Sequence, residues 1–139
     1  MLADKTNIEN FIPQRAPMRM IHDLIEVTND RAVSAFVIEE NNIFVSNGVF
    51  TEPGLIENIA QTAAAHAGYL YQQNGVTVPV GFIAAIKDLK IYSLPLLDTS
   101  IETTITVTNR VFDVTIVKGV IDQNGKTLCT CEMKIFTKS

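Results

Sequence analysis

The sequence predicts an α+β fold in which one long central helix is wrapped by a curled antiparallel β-sheet. Three observations carry that prediction. Between Thr51 and Asn74 lies an Ala-rich stretch in which Glu57 is the only formal charge past the first helical residues. Strand-like segments stand on both sides of it, and everything after it reads as β. A single helix flanked in this way is buried by packing against one sheet. The 139 residues suit one domain, 1–139, with enough chain to bury a real core.

Taken in order, Asn7 to Phe11 reads as a short helical turn ended by Pro13. Met18 to Val27 reads as a strand, Asn29-Asp30 as a turn, and Ala32 to Glu39 as the second arm of a hairpin. Asn41 to Glu52 reads as irregular. Thr51 and Pro53 start the central helix and Asn74-Gly75 stops it. A surface helix would be striped with Lys and Glu, so this one is expected to be buried on most sides. Beyond it come strands at Val80 to Tyr92 and Val111 to Ile121. Between them Ile101, Thr103, Ile105 and Val107 alternate with polar residues, the period of a half-buried strand. A turn at Asp122 to Gly125 leads into a last strand in which Cys129, Cys131, Met133 and Ile135 share one face. No repeat, linker or low-complexity segment interrupts this order.

Composition narrows the function. Hydrophobic residues make up 47% of the chain and charged residues 19%, and mean hydropathy is +0.20. That is apolar for a monomer of this size, and the excess points to an oligomer interface or a ligand tunnel. A net charge of −4, with scattered Lys and Arg, argues against nucleic acid as a partner. No run approaches the roughly 18 apolar residues of a membrane span. The N-terminal residues lack the layout of a secretory signal, so a cytoplasmic location is expected. Cys129 and Cys131 are same-face neighbours about 6.5–7 Å apart in a strand, at or beyond disulfide reach, and read as buried thiols. No metal-ligand cluster, phosphate loop or nucleophile elbow is present, so no metal or cofactor is implied.

Few side chains are left for chemistry. Glu57 stands in the opening turn of the helix near Gly54, whose bare backbone N–H could polarise a docked carbonyl together with the helix dipole. A carboxyl group beside that carbonyl can act as general acid or base, although acidic residues are also common in a first turn. His66 lies nine residues on. At about 100° per residue it falls on the opposite helix face, with Leu55, Ile59 and Leu70, whereas Glu57 shares its face with Gln61, Ala64 and Gly68. His66 therefore reads as a packed or hydrogen-bonded histidine. His22, on an apolar strand face with Met18, Met20 and Leu24, reads the same way.

Three stretches resemble one family. Phe11-Ile-Pro-Gln-Arg-Ala-Pro-Met, followed by an apolar strand, is similar to the Leu-Pro-His-Arg-x-Pro-Phe signature of the β-hydroxyacyl-ACP dehydratases. Pro53-Gly-Leu-Ile-Glu-Asn-Ile-Ala-Gln61 resembles that family's helix start, and Gly81 to Pro95 resembles the strand that lines its acyl tunnel. In detail the chain looks like a divergent branch that includes aryl-polyene and flexirubin-type dehydratases. The resemblance implies a hotdog fold and, as partners, an acyl carrier protein or CoA thioester and a second subunit in a homodimer or a mixed hotdog dimer.

It also implies a catalytic role for Glu57 as the acid and substrate-binding roles for Val49, Phe50, Gly54, Gln61 and Phe82. The family's base is a His in a Gly-His-Phe motif, and the matching stretch here is Gly48-Val49-Phe50. Val49 cannot accept a proton. Three outcomes follow: another base such as His22 or a water held by Asn47, a His supplied by a second hotdog subunit, or a binding subunit without turnover. The expected function is thus 3-hydroxyacyl-thioester dehydration in fatty-acid or polyene-type synthesis. The alternatives are a non-catalytic acyl-binding partner subunit and a hotdog thioesterase.

Overall fold

A computed structural model describes residues 1–77 and 79–138. A single-turn 3-10 helix at Ile8–Asn10 is followed by strands β1 (Asp23–Val27), β2 (Arg31–Val37), β3 (Val45–Ser46) and β4 (Val49–Phe50). Helix α1 (Glu52–Gln73) comes next, then β5 (Val80–Ile91), β6 (Ser100–Val111), β7 (Val114–Gln123) and β8 (Lys126–Lys138). Six strands form one antiparallel sheet in the order β1-β2-β6-β7-β8-β5, and β3 and β4 pair by themselves. The helix lies against β1, β2, β6, β7 and β5.

Alternation in the strands produces the core. On β6, Ile101, Thr103 and Ile105 are buried while Glu102 and Thr106 are exposed. On β8, Cys129, Cys131 and Met133 are buried. These inward side chains meet Leu55 and Ile59 of the helix in one cluster. Each fully buried Leu, Ile or Met contributes about 1.5–3 kcal/mol relative to exposure. Both cysteines are free thiols. Burial pushes the Cys129 thiol up to about 11 and Cys131 to about 12, which leaves them protonated and inert near neutrality.

The helix begins at Thr51, whose extended backbone ends the preceding segment and whose hydroxyl donates to Phe44 O at 2.6 Å. It ends where Asn74 turns its side chain onto Leu70 O. On the face opposite the sheet's centre, the N-terminal segment runs back along the helix. Phe11 O presses on the Cα of Gly68, where an added Cβ would stand 2.0 Å away. Gln72 donates to Asn10 O, and the Phe11 and Tyr69 rings pack at 5.6 Å.

Three boundaries differ from the expectation. The strand expected from Met18 begins only at Asp23, because helix side chains take over the backbone of Met18 and Met20. The stretch expected to be irregular holds the small β3–β4 hairpin, turned by Asn47 and Gly48 at positive φ. Val111 closes β6 instead of opening β7, since a bulge after Val107 carries β6 on to a turn at Phe112 and Asp113.

Candidate functional site

A row of polar side chains on the helix is buried. Asn58, Gln61, Thr62 and His66 recur at helical spacing, and none is more than 4% exposed. Each meets a defined partner, as a buried polar group must. Asn58 donates to Met20 O at 2.7 Å and accepts from the Thr103 hydroxyl. Thr62 pairs with Ser34 at 2.7 Å and also donates to Asn58 O. This ladder fixes the helix's rotation and its register against β2, β6 and the Met18–Met20 segment.

Gln61 has the largest share. Its Oε1 accepts from Met20 N at 2.6 Å, and its Nε2 donates to Met18 O at 2.8 Å and to Glu57 Oε1 at 2.9 Å. A flipped amide would set oxygen against two oxygens and NH₂ against an N–H, so this orientation is dictated by the partners. Gln61 thereby aims the half-buried Glu57. With Oε1 receiving an N–H, a proton on that carboxyl belongs on Oε2.

Glu57 lines a cavity of about 730 Å³ between the helix and the far strands of the sheet. Ala60, Ala63, Ala64 and Ala67 form its helical wall, and Phe82 and Ile83 of β5 and Val117 of β7 stand across from them. Small residues on the helix leave the width, and apolar neighbours make it suit a hydrocarbon chain. Of the residues named from the sequence, Glu57 and Phe82 share this wall, whereas Val49, Phe50, Gly54 and Gln61 do not belong to it. Phe50 is fully buried against Phe36, with ring centroids 5.7 Å apart. Val49 is half-buried and bridges to Leu96.

Gly54 differs from the expectation of a free donor. Its N–H donates to Thr51 O at 3.0 Å. The Phe50 ring occupies the space where a Cβ would come within 2.4 Å. Gly54 is there to admit that ring.

Both histidines are engaged. His66 Nε2 donates to Thr28 O at 2.7 Å, and burial, only partly offset by that bond, lowers its pKa from the ordinary 6.5. His66 lines the cavity together with Glu57, and no hydrogen bond links the two. His22 Nδ1 accepts from Val37 N at 3.3 Å, its Nε2 faces Glu39 at 3.3 Å, and its ring stacks on Phe36. Burial lowers its pKa too, against the pull of Glu39. It takes no part in the cavity wall.

Sequence reasoning missed Asn58 and Gln14. Asn58 was detectable as one of four polar residues at helical spacing in an otherwise apolar helix. Gln14 stood at the His of the Leu-Pro-His-Arg signature that its stretch resembles, but only the folded N-terminal segment brings it into the cavity wall.

The fold has close structural relatives. A chain of the dehydratase heterocomplex ApeI:P from Xenorhabdus doucetiae superposes with a TM-score of 0.89 at 14% identity, over 95% of this chain and 91% of that one. A hypothetical thioesterase from Streptococcus pneumoniae, solved with coenzyme A, gives 0.68 at 12% identity over 84% and 85%. The PaaI protein of the E. coli phenylacetic acid degradation operon gives 0.64 at 13% over 82% and 81%. These likenesses establish the hotdog fold. No curated protein sequence matches the chain significantly. The profile of the ApeP-like family, described as ApeP dehydratase, matches residues 6–139. With nearly its whole length inside that match, the chain belongs to the ApeP-like family.

Proposed function

We propose that this chain is the acid-bearing, acyl-binding subunit of a 3-hydroxyacyl-thioester dehydratase, acting on acyl carrier protein or CoA thioesters in fatty-acid or polyene-type synthesis. The observation that carries the reading is a carboxyl group, Glu57, aimed by Gln61 in the wall of an apolar cavity, while both histidines are tied to partners of their own. The missing base, at the position where the dehydratase signature has His and this chain has Val49, would come from a second hotdog subunit. The heterocomplex in which a structural relative was solved supports such pairing.

In the assembled site the partner's base removes the α-proton of the acyl thioester. The C–O bond at the β-carbon breaks, and Glu57 Oε2 gives its proton to the departing hydroxyl, which leaves as water. A trans-2-enoyl thioester remains. Phe82 and the helical alanines hold the chain. Phe50, Gly54 and Val49 pack at the helix start outside the cavity wall, and Gln61 acts through Glu57.

The test is a product assay on 3-hydroxyacyl carrier-protein substrates, with wild type and Glu57→Gln, each alone and mixed with a hotdog protein carrying Gly-His-Phe. Enoyl product is expected only in the mixture. Glu57→Gln should lower its rate by roughly 10²- to 10⁴-fold, the size of a general acid's contribution. Turnover by the chain alone that survives Glu57→Gln would remove the role given to Glu57. Free acid as product would mark a thioesterase. Tight acyl binding with no rate change in Glu57→Gln mixtures would mark a purely binding subunit, the reading that Val49 favours second.

A further inference from the structure

One buried polar atom in the cavity wall has no partner. Gln14 Oε1 is buried and takes part in no hydrogen bond, and it alone has that status among the described residues. Gln14 lines the same cavity as Glu57, Ala60 and Ala64.

Its placement is tightly held. Arg15 Nη1 donates to Ile12 O at 2.8 Å and to Gln14 O at 3.0 Å, and Arg15 Nε pairs with Glu9 at 3.3 Å. On one side Phe11 O is seated on Gly68, and on the other Gln61 holds Met18 and Met20. The segment therefore runs antiparallel to the helix between those anchors, with Gln14 midway, over the Ala64–Ala60 stretch. That is one to two helical turns from Glu57, about 5–10 Å along the axis. No hydrogen bond joins the two side chains, and both line the one cavity of about 730 Å³.

An unpaired buried carbonyl weakens the empty fold, because it has given up water and gained nothing. A ligand that brings an N–H or O–H removes that deficit. The rest of this wall mixes alanine and aromatic or branched apolar carbon with polar His66, Asn74, Arg110, Asp113, Thr115 and Thr137, and its apolar part suits the acyl chain of a thioester. On a 3-hydroxyacyl chain the sole hydrogen-bond donor is the 3-hydroxyl.

We propose that Gln14 is a substrate-binding residue whose Oε1 accepts the hydrogen bond of the substrate's 3-hydroxyl. This leaves the hydroxyl oxygen's lone pairs free to accept the proton that Glu57 supplies. The assignment rests on the acyl-thioester reading given above. It makes Gln14 a specificity determinant, separating 3-hydroxyacyl chains from saturated ones before any chemistry.

The test uses calorimetric titration of the full chain with two non-hydrolysable acyl-pantetheine amides of equal chain length, one with a 3-hydroxyl and one saturated. Wild type should favour the hydroxylated ligand by roughly three- to tenfold, the worth of one hydrogen bond. Gln14→Leu should erase that preference and leave affinity for the saturated ligand unchanged or higher. The variant should also melt no lower than wild type, since it loses no protein partner and sheds an unpaired acceptor. A preference that persists in Gln14→Leu, equal weakening of both ligands, or a wild type that binds the two alike would overturn the role of Gln14. Failure of the wild type to bind either ligand would overturn the acyl-thioester reading itself, and this role with it.

Discussion

Gln61 shows how much one side chain can carry when its neighbours leave it no alternative. It is fully buried, and it satisfies Met18 O and Met20 N while it orients Glu57. Gln61→Leu has similar bulk but strands two backbone groups, each worth about 1–3 kcal/mol when left unpaired. The expected loss is about 2–4 kcal/mol in denaturant unfolding, with Glu57 freed to rotate. The histidines supply a pH dependence. The pKa of each is lowered in the folded chain, so the unfolded chain takes up protons first as pH falls. Stability from this source is intact above about 6.5, the ordinary histidine value, and is lost progressively below it. Thermal melts between pH 7.5 and 5 should show that decline. His66→Gln, which can still donate to Thr28 O, should flatten it.

At the scale of elements, the helix is gripped from two sides by different devices. Toward the sheet it is held by apolar packing and by the Asn58–Thr62 ladder. Toward the N-terminal segment it is held by a close backbone approach that only glycine allows. Gly68→Ala gains helix propensity worth about 1 kcal/mol, but its Cβ would lie 2.0 Å from Phe11 O. Overpacking against backbone should win, for a net loss of about 2–3 kcal/mol. Hydrogen exchange should quicken first at residues 8–15, the segment displaced. Because Gln14 rides on that segment, the same change should blunt discrimination of 3-hydroxyl ligands.

At the scale of the whole molecule, the two edges of the sheet are unlike. The β1 edge is covered by Leu2 and Ala3, which bond to Leu24. The β5 edge is twelve residues long and carries exposed Phe82, Ile83, Ile86 and Leu89. A long apolar edge of this kind favours association. Ile86→Lys should weaken self-association or pairing with a hotdog partner by roughly ten- to a hundredfold, the worth of one large apolar side chain. Sedimentation velocity would measure it. No helix among the described residues is long and apolar enough to cross a membrane.

Local patterning was enough to foretell the central helix, the succession along the chain of the six strands of the main sheet, though not the β3–β4 hairpin, and the inward faces of β6 and β8. Periods of 3.6 and 2 residues are properties of adjacent positions and need no knowledge of the partner surface. The same reasoning set His66 apart from Glu57 by counting turns; in the fold no hydrogen bond links them, but both line the one cavity. It could not see that the Met18–Met20 backbone would be satisfied by Asn58 and Gln61 instead of by a strand. Nor could it see that Gly54 serves the Phe50 ring and spends its N–H on Thr51, or that Gln14 enters the cavity. The Met18–Met20 bonds join residues about forty positions apart, and even the short-range Gly54 contacts depend on how the chain turns into the helix, so tertiary packing decides which polar groups are paired and which is left waiting for a ligand.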